Sequence, residues 1–307
     1  MDLFESRNIS PMLISEIQDP FNSPDYIFEI KWDGIRCVSF LNNKTDMRNK
    51  RNKLMTPLFP ELELLHKQVK TKCILDHELV VLKNGIPDFY QVQNRAMMTN
   101  PFKIKLASDR LPASIVAYDI LYYKDKDITM LPLLERKKYL NDVVLENNLI
   151  SVSRYVENNG IMLFDLVKKQ GLEGIVAKKI DSLYWQGKKT KDWIKCKVLS
   201  TDDCVICGYI KKPNNMTSLV LGQYDHDTIV YRGHVTLGVS LSILNQHHYK
   251  VIDQSPFGYV PEGNKDAVWL APELVCIVES MPTDKDSFRQ PVFKGIRDDK
   301  TAQECVL

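Results

Sequence analysis

The alternation of apolar and polar positions marks out short strands along the 307-residue chain. Residues 26–32, 35–41, 74–82, 115–122, 174–178 and 193–198 have the apolar, β-branched and aromatic content that predicts strands. A period of two then sorts their faces. In 26–32 it places Glu29 and Lys31 on one face, with Phe28 and Ile30 on the other. In 74–82, Asp76 and Glu78 share a face opposite Leu75, His77 and Leu79. In 193–198, Trp193, Lys195 and Lys197 oppose Ile194, Cys196 and Val198. Amphipathic stretches between the strands predict helices over 61–69 behind Pro60, a good first-turn residue, over 133–145, and over 161–170, where Gly171 offers a C-cap. Strands mixed with helices over 1–200 predict an α+β domain of catalytic size. After residues 199–203 the texture changes to short strands and turns, with one helical stretch near 239–249. Residues 201–307 therefore predict a small β-barrel such as an OB-fold.

Composition adds limits. An apolar content of 44% can bury a sizeable core, and a net charge of +2 rules out a polycation. The positive charge is local. Residues 42–53 hold Lys44, Arg48, Lys50, Arg51 and Lys53 against Asp46, and residues 178–197 hold seven lysines against Asp181 and Asp192. Such clusters suggest an anionic partner. The first residues lack the basic and apolar regions of a signal peptide, and no stretch approaches the ~20 apolar residues needed to span a bilayer. Seven cysteines without framework spacing suit a reducing cytoplasm. Cys204 and Cys207 have metal-ligand spacing but sit three apart on a strand, facing opposite sides, and read as core thiols.

Candidate chemistry centres on Lys31. It ends an apolar strand just before Asp33-Gly34, a pair that predicts a tight hairpin turn returning Arg36 on the next strand. An amine so placed can act as a nucleophile when nearby cations disfavour its charge. Asp76 and Glu78 are acids on a mainly apolar strand, which is costly unless they are paired or hold a metal. Glu173 stands at the mouth of a buried-looking strand. Lys195 and Lys197 repel each other on one face unless an anion, such as a polyphosphate, lies against them.

The ordered set Lys31-Trp-Asp33-Gly34-Ile-Arg36, Asp76-His-Glu78, Tyr118-Asp119, Glu173-Gly-Ile-Val-Ala-Lys178, Trp193-Ile-Lys195-Cys-Lys197 and Phe288-Arg-Gln-Pro-Val-Phe-Lys294-Gly-Ile-Arg297-Asp-Asp-Lys300 resembles the ATP-dependent DNA ligases. It is most similar to the ligase module of bacterial end-joining ligases of the ligase D type, within the covalent lysine nucleotidyltransferases. Pro87-Asp-Phe-Tyr, Pro132-Leu-Leu-Glu-Arg136 and Trp269-Leu-Ala-Pro-Glu-Leu resemble that subgroup too.

The resemblance implies an adenylation domain over 1–200 and an OB-fold over 201–307. ATP would be the nucleotide, with AMP carried on Lys31, and magnesium or manganese would be the ion, held by Glu173 with Glu78. By the same resemblance Glu29 accepts from the adenine amino group beside Ile30, and Tyr118 stacks on the ring. Arg36 and Glu78 bind around the ribose, Arg48 contacts phosphate, and Asp33 serves the later steps. Lys195 and Lys197 surround the α-phosphate, and Lys294, Arg297 and Lys300 close over the leaving pyrophosphate. Implied partners are nicked duplex DNA, a Ku-type end-binding protein and a separate polymerase, met by a monomer near the nucleoid. Two departures stand out: His77 replaces the family's usual glycine, and the duplicated run Arg48-Asn-Lys-Arg51-Asn-Lys leaves Arg51 as an alternative to Arg48. An RNA ligase or mRNA-capping type of transferase, and a non-catalytic nucleic-acid binder, are the rival readings.

Overall fold

The computed structural model describes residues 2–15, 19–214, 216–244, 246–281, 283 and 286–307. The chain divides into two compact units, Met1–Lys197 and Val198–Leu307. We take each by itself.

The first unit is built on two main sheets of mostly antiparallel strands. Its principal strands are β1 (Tyr26–Ile30), β2 (Ile35–Leu41), β3 (Thr45–Asn49), β4 (Cys73–Lys83), β5 (Ala113–Tyr123), β6 (Tyr155–Glu157), β7 (Gly174–Lys179) and β8 (Trp193–Lys197). The smaller sheet has the order β6-β1-β7-β8, with Val176 opposite both Glu29 and Lys195. The larger sheet runs β3-β2-β4-β5 and is completed by the short strands Ile86–Pro87, Lys126–Asp127 and Ile150–Val152. Both faces of the larger sheet are buried, which explains its long apolar runs. Cys37, Leu41, Leu75, Leu79, Ile115 and Ala117 pack on one side against Phe59, Leu62, Val92, Leu140 and Val143. Val38, Phe40, Ile74 and Leu121 pack on the other against Phe4, Met12, Tyr184 and Trp193. Each fully buried side chain of this kind contributes roughly 1.5–3 kcal/mol. The helices are α1 (Leu3–Ser6), α2 (Phe89–Ala96), α3 (Pro101–Arg110), α4 (Leu133–Val143) and α5 (Gly160–Lys169).

Two local expectations fail. Asp33-Gly34 is not a hairpin turn, because β1 and β2 belong to different sheets and residues 31–34 cross between them. Glycine is required there for close approach. A Cβ on Gly34 would lie 2.3 Å from the Leu79 carbonyl oxygen of β4. Residues 61–69 are not an α-helix but the short 3-10 turns Pro60–Leu62 and Leu65–Gln68. The buried residues are Phe59, Leu62 and Leu65, a strict spacing of three that matches the tighter helix.

The second unit is a seven-stranded antiparallel sheet. It contains β9 (Ser200–Lys211), β10 (Thr217–Asp225), β11 (Thr228–Val235), β12 (Val275–Met281) and β13 (Arg289–Arg297), with short strands Val251–Ile252 and Val268–Leu270. The long β9 serves two neighbours. Its first half pairs with β12 and its second half with β10. Cys204 joins Ile206, Leu221, Cys276 and Phe293 in one core cluster, whereas Cys207 faces the opposite cluster with Val220 and Trp269. Of the expected helical stretch near 239–249, the described residues form helix only over α6 (Leu241–Leu244). Among the described residues, no helix is long and apolar enough to cross a membrane.

Candidate active site

Residues from both sheets of the first unit line one pocket of about 430 Å³, its open mouth included. The smaller sheet gives Glu29, Ile30, Val176, Lys178 and Trp193, and the larger gives Arg36, Glu78 and Tyr118. Lys31 and Trp32, on the crossing between the sheets, complete it with Ile14.

Lys31 is fixed by its backbone as well as its side chain. Its N–H donates to Gly174 O at 2.8 Å, one residue beyond Glu173. Its Nζ meets Glu173 Oε2 at 2.6 Å, while Lys197 Nζ lies 3.4 Å from Glu173 Oε1. Gly174 makes this possible. Its φ of +146° is one that side-chain-bearing residues rarely adopt, and a Cβ there would meet Cys196 O at 2.2 Å. The nucleophile candidate and the carboxylate candidate, 142 positions apart, are thus brought into contact by the pairing of β7 with β8 and the end of β1. Burial, then Lys197 and Lys31, push the Lys195 amine below its ordinary value. That is the like-charge repulsion expected on this face.

Glu29 is nearly inaccessible, and two lysines keep it ionised. Burial alone would raise its carboxyl, but Lys137 and Lys178 hold it below its ordinary value. Lys137 Nζ lies 2.5 Å from Oε1, and Lys178 Nζ donates to Oε2 at 3.1 Å. Lys178 also sits over the rings of Tyr118 (4.5 Å) and Trp193 (4.4 Å). Burial and the neighbouring Lys137 bring it down to about 8, against the pull of Glu29. Arg36 is held by the buried Asp76 through Nε at 3.0 Å and Nη2 at 2.6 Å, and donates to Met12 O at 2.6 Å. Tyr184 donates its hydroxyl to Asp76 at 2.7 Å, so the arginine rests on a fully bonded carboxylate. Burial pushes Glu78 up to about 8, with Lys31 and Arg36 pulling the other way. His77 is a packed core residue. It bonds Ser39 Oγ through Nε2 at 2.8 Å, and burial lowers it to about 4.

Other candidates lie apart from the pocket lining. Arg48 on β3 is engaged by Asp46 at 2.8 and 3.3 Å and does not line the pocket. Arg51, the alternative, is exposed in the turn after β3. Asp33 lies on the crossing between the sheets. In the second unit Lys294 pairs with Glu279 at 3.3 Å, and Arg297 and Lys300 pair with Asp203 at 3.0 and 2.7 Å. Sequence reasoning gave no role of their own to Lys137, Lys178, Trp193 and Tyr184. Lys137 carried a signal: it follows Leu133 by four and precedes Leu140 by three, which puts a lysine on the apolar stripe of α4.

Two family models match the chain, one over each unit. The ATP dependent DNA ligase domain matches residues 10–197, and the ATP dependent DNA ligase C terminal region matches 212–300. The chain belongs to the ATP-dependent DNA ligases. Models of DNA ligases, rather than of RNA ligases or capping enzymes, cover both units. The ligase is 35% identical over 208 residues to the SPbeta prophage-derived DNA ligase-like protein LigB of Bacillus subtilis (strain 168), covering 66% of this chain and 73% of that one. It is 29% identical over 316 residues to the multifunctional non-homologous end joining protein LigD of Mycolicibacterium smegmatis, covering 98% of this chain. The ligase spans about 40% of the length of that relative. Among solved structures, a mycobacterial DNA ligase D complexed with ATP and MES superposes with a TM-score of 0.57 at 25% identity, over 98% of each chain. A Lig E DNA ligase, at 14% identity and a TM-score of 0.61 over 93% of this chain and all of that one, shares the fold. These neighbours accord with an adenylation domain followed by an OB-fold.

Proposed function

We propose that this ligase seals 5′-phosphate/3′-hydroxyl nicks in duplex DNA through AMP carried on Lys31. The reading rests above all on Lys31 Nζ standing 2.6 Å from Glu173 at a pocket lined by Glu29, Tyr118 and Arg36. Lys31 Nζ, after losing a proton, attacks the ATP α-phosphorus. The N–P bond forms, the α–β bridging P–O bond breaks, and pyrophosphate leaves. The AMP then passes to the 5′-phosphate of the nick, freeing the lysine. Finally the 3′-hydroxyl attacks that phosphate, a phosphodiester forms and AMP departs. Glu173 is the carboxylate within reach of the Lys31 proton.

Most of the assistance is positional and electrostatic, as phosphoryl transfer requires. Tyr118 stacks on the base, Glu29 accepts from its amino group, and Arg36 and Glu78 serve the ribose. Lys195 and Lys197 serve the α-phosphate, and Asp33 the later steps. Lys294, Arg297 and Lys300 serve the departing pyrophosphate after release from Glu279 and Asp203. Glu173 and Glu78 fit a divalent ion. They are two carboxylates electrostatically coupled to each other, and no group of three or more metal-capable side chains gathers among the described residues. Such a sparse oxygen set suits magnesium, which completes its shell with substrate phosphates and water. When bound, the ion would offset the charge of the triphosphate. The ligase D relatives are named for non-homologous end joining, and we extend that setting, with a Ku-type partner, to this chain.

The test is sealing of a singly nicked duplex with ATP and magnesium. The wild-type protein should seal it, Lys31→Ala should not, and GTP or nicked duplex RNA should support little product. A wild-type protein that seals no nick, or a Lys31→Ala variant that seals as well, would overturn the proposal.

A further inference from the structure

Helix α4 sends one side chain, Lys137, to the back of a residue that lines the pocket, Glu29. Arg136 sets the register of the helix. This arginine is fully buried, grips Asp119 with two bonds of 2.8 Å, and donates to the carbonyls of Leu131 (2.5 Å) and Ser182 (2.9 Å). Asp119 lies next to Tyr118 on β5, so the helix is pinned to the strand that carries the aromatic lining. With α4 so held, Lys137 is 1% exposed and its Nζ meets Glu29 Oε1 at 2.5 Å. Apart from this ion pair, neither Glu29 Oε1 nor Lys137 Nζ has a hydrogen-bond partner among the described residues. Glu29 itself lines the pocket, so the cation that holds its carboxylate also sets what that carboxylate presents there.

We propose that Lys137 is a positioning residue for base selection: by holding Glu29 ionised and oriented, it makes the pocket accept the 6-amino group of adenine and reject a 6-carbonyl. This deepens the proposed function and rests on Glu29 reading the base. An ionised carboxylate can only accept hydrogen bonds. A protonated one can donate, and would then tolerate a carbonyl at the same place. Lys178 alone is a weaker guarantor of the ionised form. It must also satisfy the rings of Tyr118 and Trp193, and its own burial disfavours its charge. Lys137 reaches Glu29 but does not itself line the pocket, so it acts through the carboxylate.

The experiment compares ATP with inosine triphosphate, which carries a carbonyl in place of the 6-amino group, in the enzyme-adenylation step of the full chain. Wild type, Lys137→Met and Lys137→Arg are measured at neutral pH, with thermal unfolding as the check on folding. Wild type should prefer ATP strongly. In Lys137→Met the preference should drop by ~10-fold or more, the weight of one charge-assisted contact. The loss should appear mainly as a raised KM for ATP, with kcat little changed. Lys137→Arg should restore most of the preference, and it retains the buried charge if the methionine variant proves unfolded. A wild type indifferent between the nucleotides overturns the reading of Glu29 itself. A wild type that discriminates, with a folded Lys137→Met that discriminates as well, overturns the role of Lys137 alone. Failure of Lys137→Arg to recover the preference lost in Lys137→Met also counts against it.

Discussion

Replacing Asp76 with alanine removes a fully buried carboxylate that accepts from Arg36 Nε, Arg36 Nη2 and the Tyr184 hydroxyl at 3.0, 2.6 and 2.7 Å. Removing one partner of a buried ion pair costs about 3–5 kcal/mol, because the other charge is left uncompensated. Arg36 keeps the Met12 carbonyl at 2.6 Å, and its side chain is 16% exposed, so the lower end applies, ~3 kcal/mol. For a unit of this size that corresponds to a fall of roughly 6–12 °C in the midpoint. Unfolding followed by tryptophan fluorescence reads the change, since Trp193 lies 5.7 Å from the Arg36 guanidinium and Trp32 and Trp185 are in the same unit. Asp76→Asn, which keeps an acceptor and the volume, should lose less. Burial alone would raise the Asp76 carboxyl, but Arg36 and Tyr184 hold it below its ordinary 3.8. Its contribution is therefore present above that value and lost as the pH falls below it. The alanine variant should accordingly show a flatter acid limb than wild type. A loss under ~1 kcal/mol, or an Arg36→Met/Asp76→Ala double mutant whose losses simply add, would refute the claim that the pair is coupled.

Glu78, raised to about 8, binds a proton in the folded state that the unfolded chain releases near 4.5. Stability should thus fall as the pH rises from about 4.5 to 8, and Glu78→Gln should remove that slope and be the more stable form above pH 8. Parallel pH profiles for the two proteins would show that burial of Glu78 has no such effect. Gly174→Ala should cost ~1–3 kcal/mol in backbone strain alone. It should also depress adenylation disproportionately, because relieving the contact with Cys196 O displaces the strand that follows Glu173. An alanine variant of unchanged stability and adenylation rate would contradict the geometry at that strand end.

Much of the fold was legible because its signals are local. Residues 35–41 form a strand over those same positions, and α5 ends where Gly171, at φ +68°, predicts it. Other elements carried signals that went unread. Asp88 caps α2 through Gln91 N, and Asn100 followed by Pro101 opens α3. The failures have distinct causes. An Asp-Gly pair does signal a hairpin, but which sheet each flanking strand joins depends on partners far along the chain: β1 on Gly174–Lys179, β2 on Cys73–Lys83. Near Pro60 the buried spacing is three, and an α-helical reading absorbs it too easily. The contact between Lys31 and Glu173 was not legible, since no periodicity links positions 142 apart. The pairing of Glu29 with Lys137 was hidden for another reason: a buried lysine is rare enough that an isolated one on a helix is read as solvated.

The central claim is that Lys31 carries the nucleotide. Its most direct measurement is peptide mapping by mass spectrometry after incubation with ATP and magnesium, with denaturation in conditions that preserve a phosphoramidate. The account predicts one AMP on the peptide containing Lys31, absent from Lys31→Ala and discharged on addition of nicked duplex. An active preparation that bears AMP on another side chain, or on none while ATP is consumed, would contradict it.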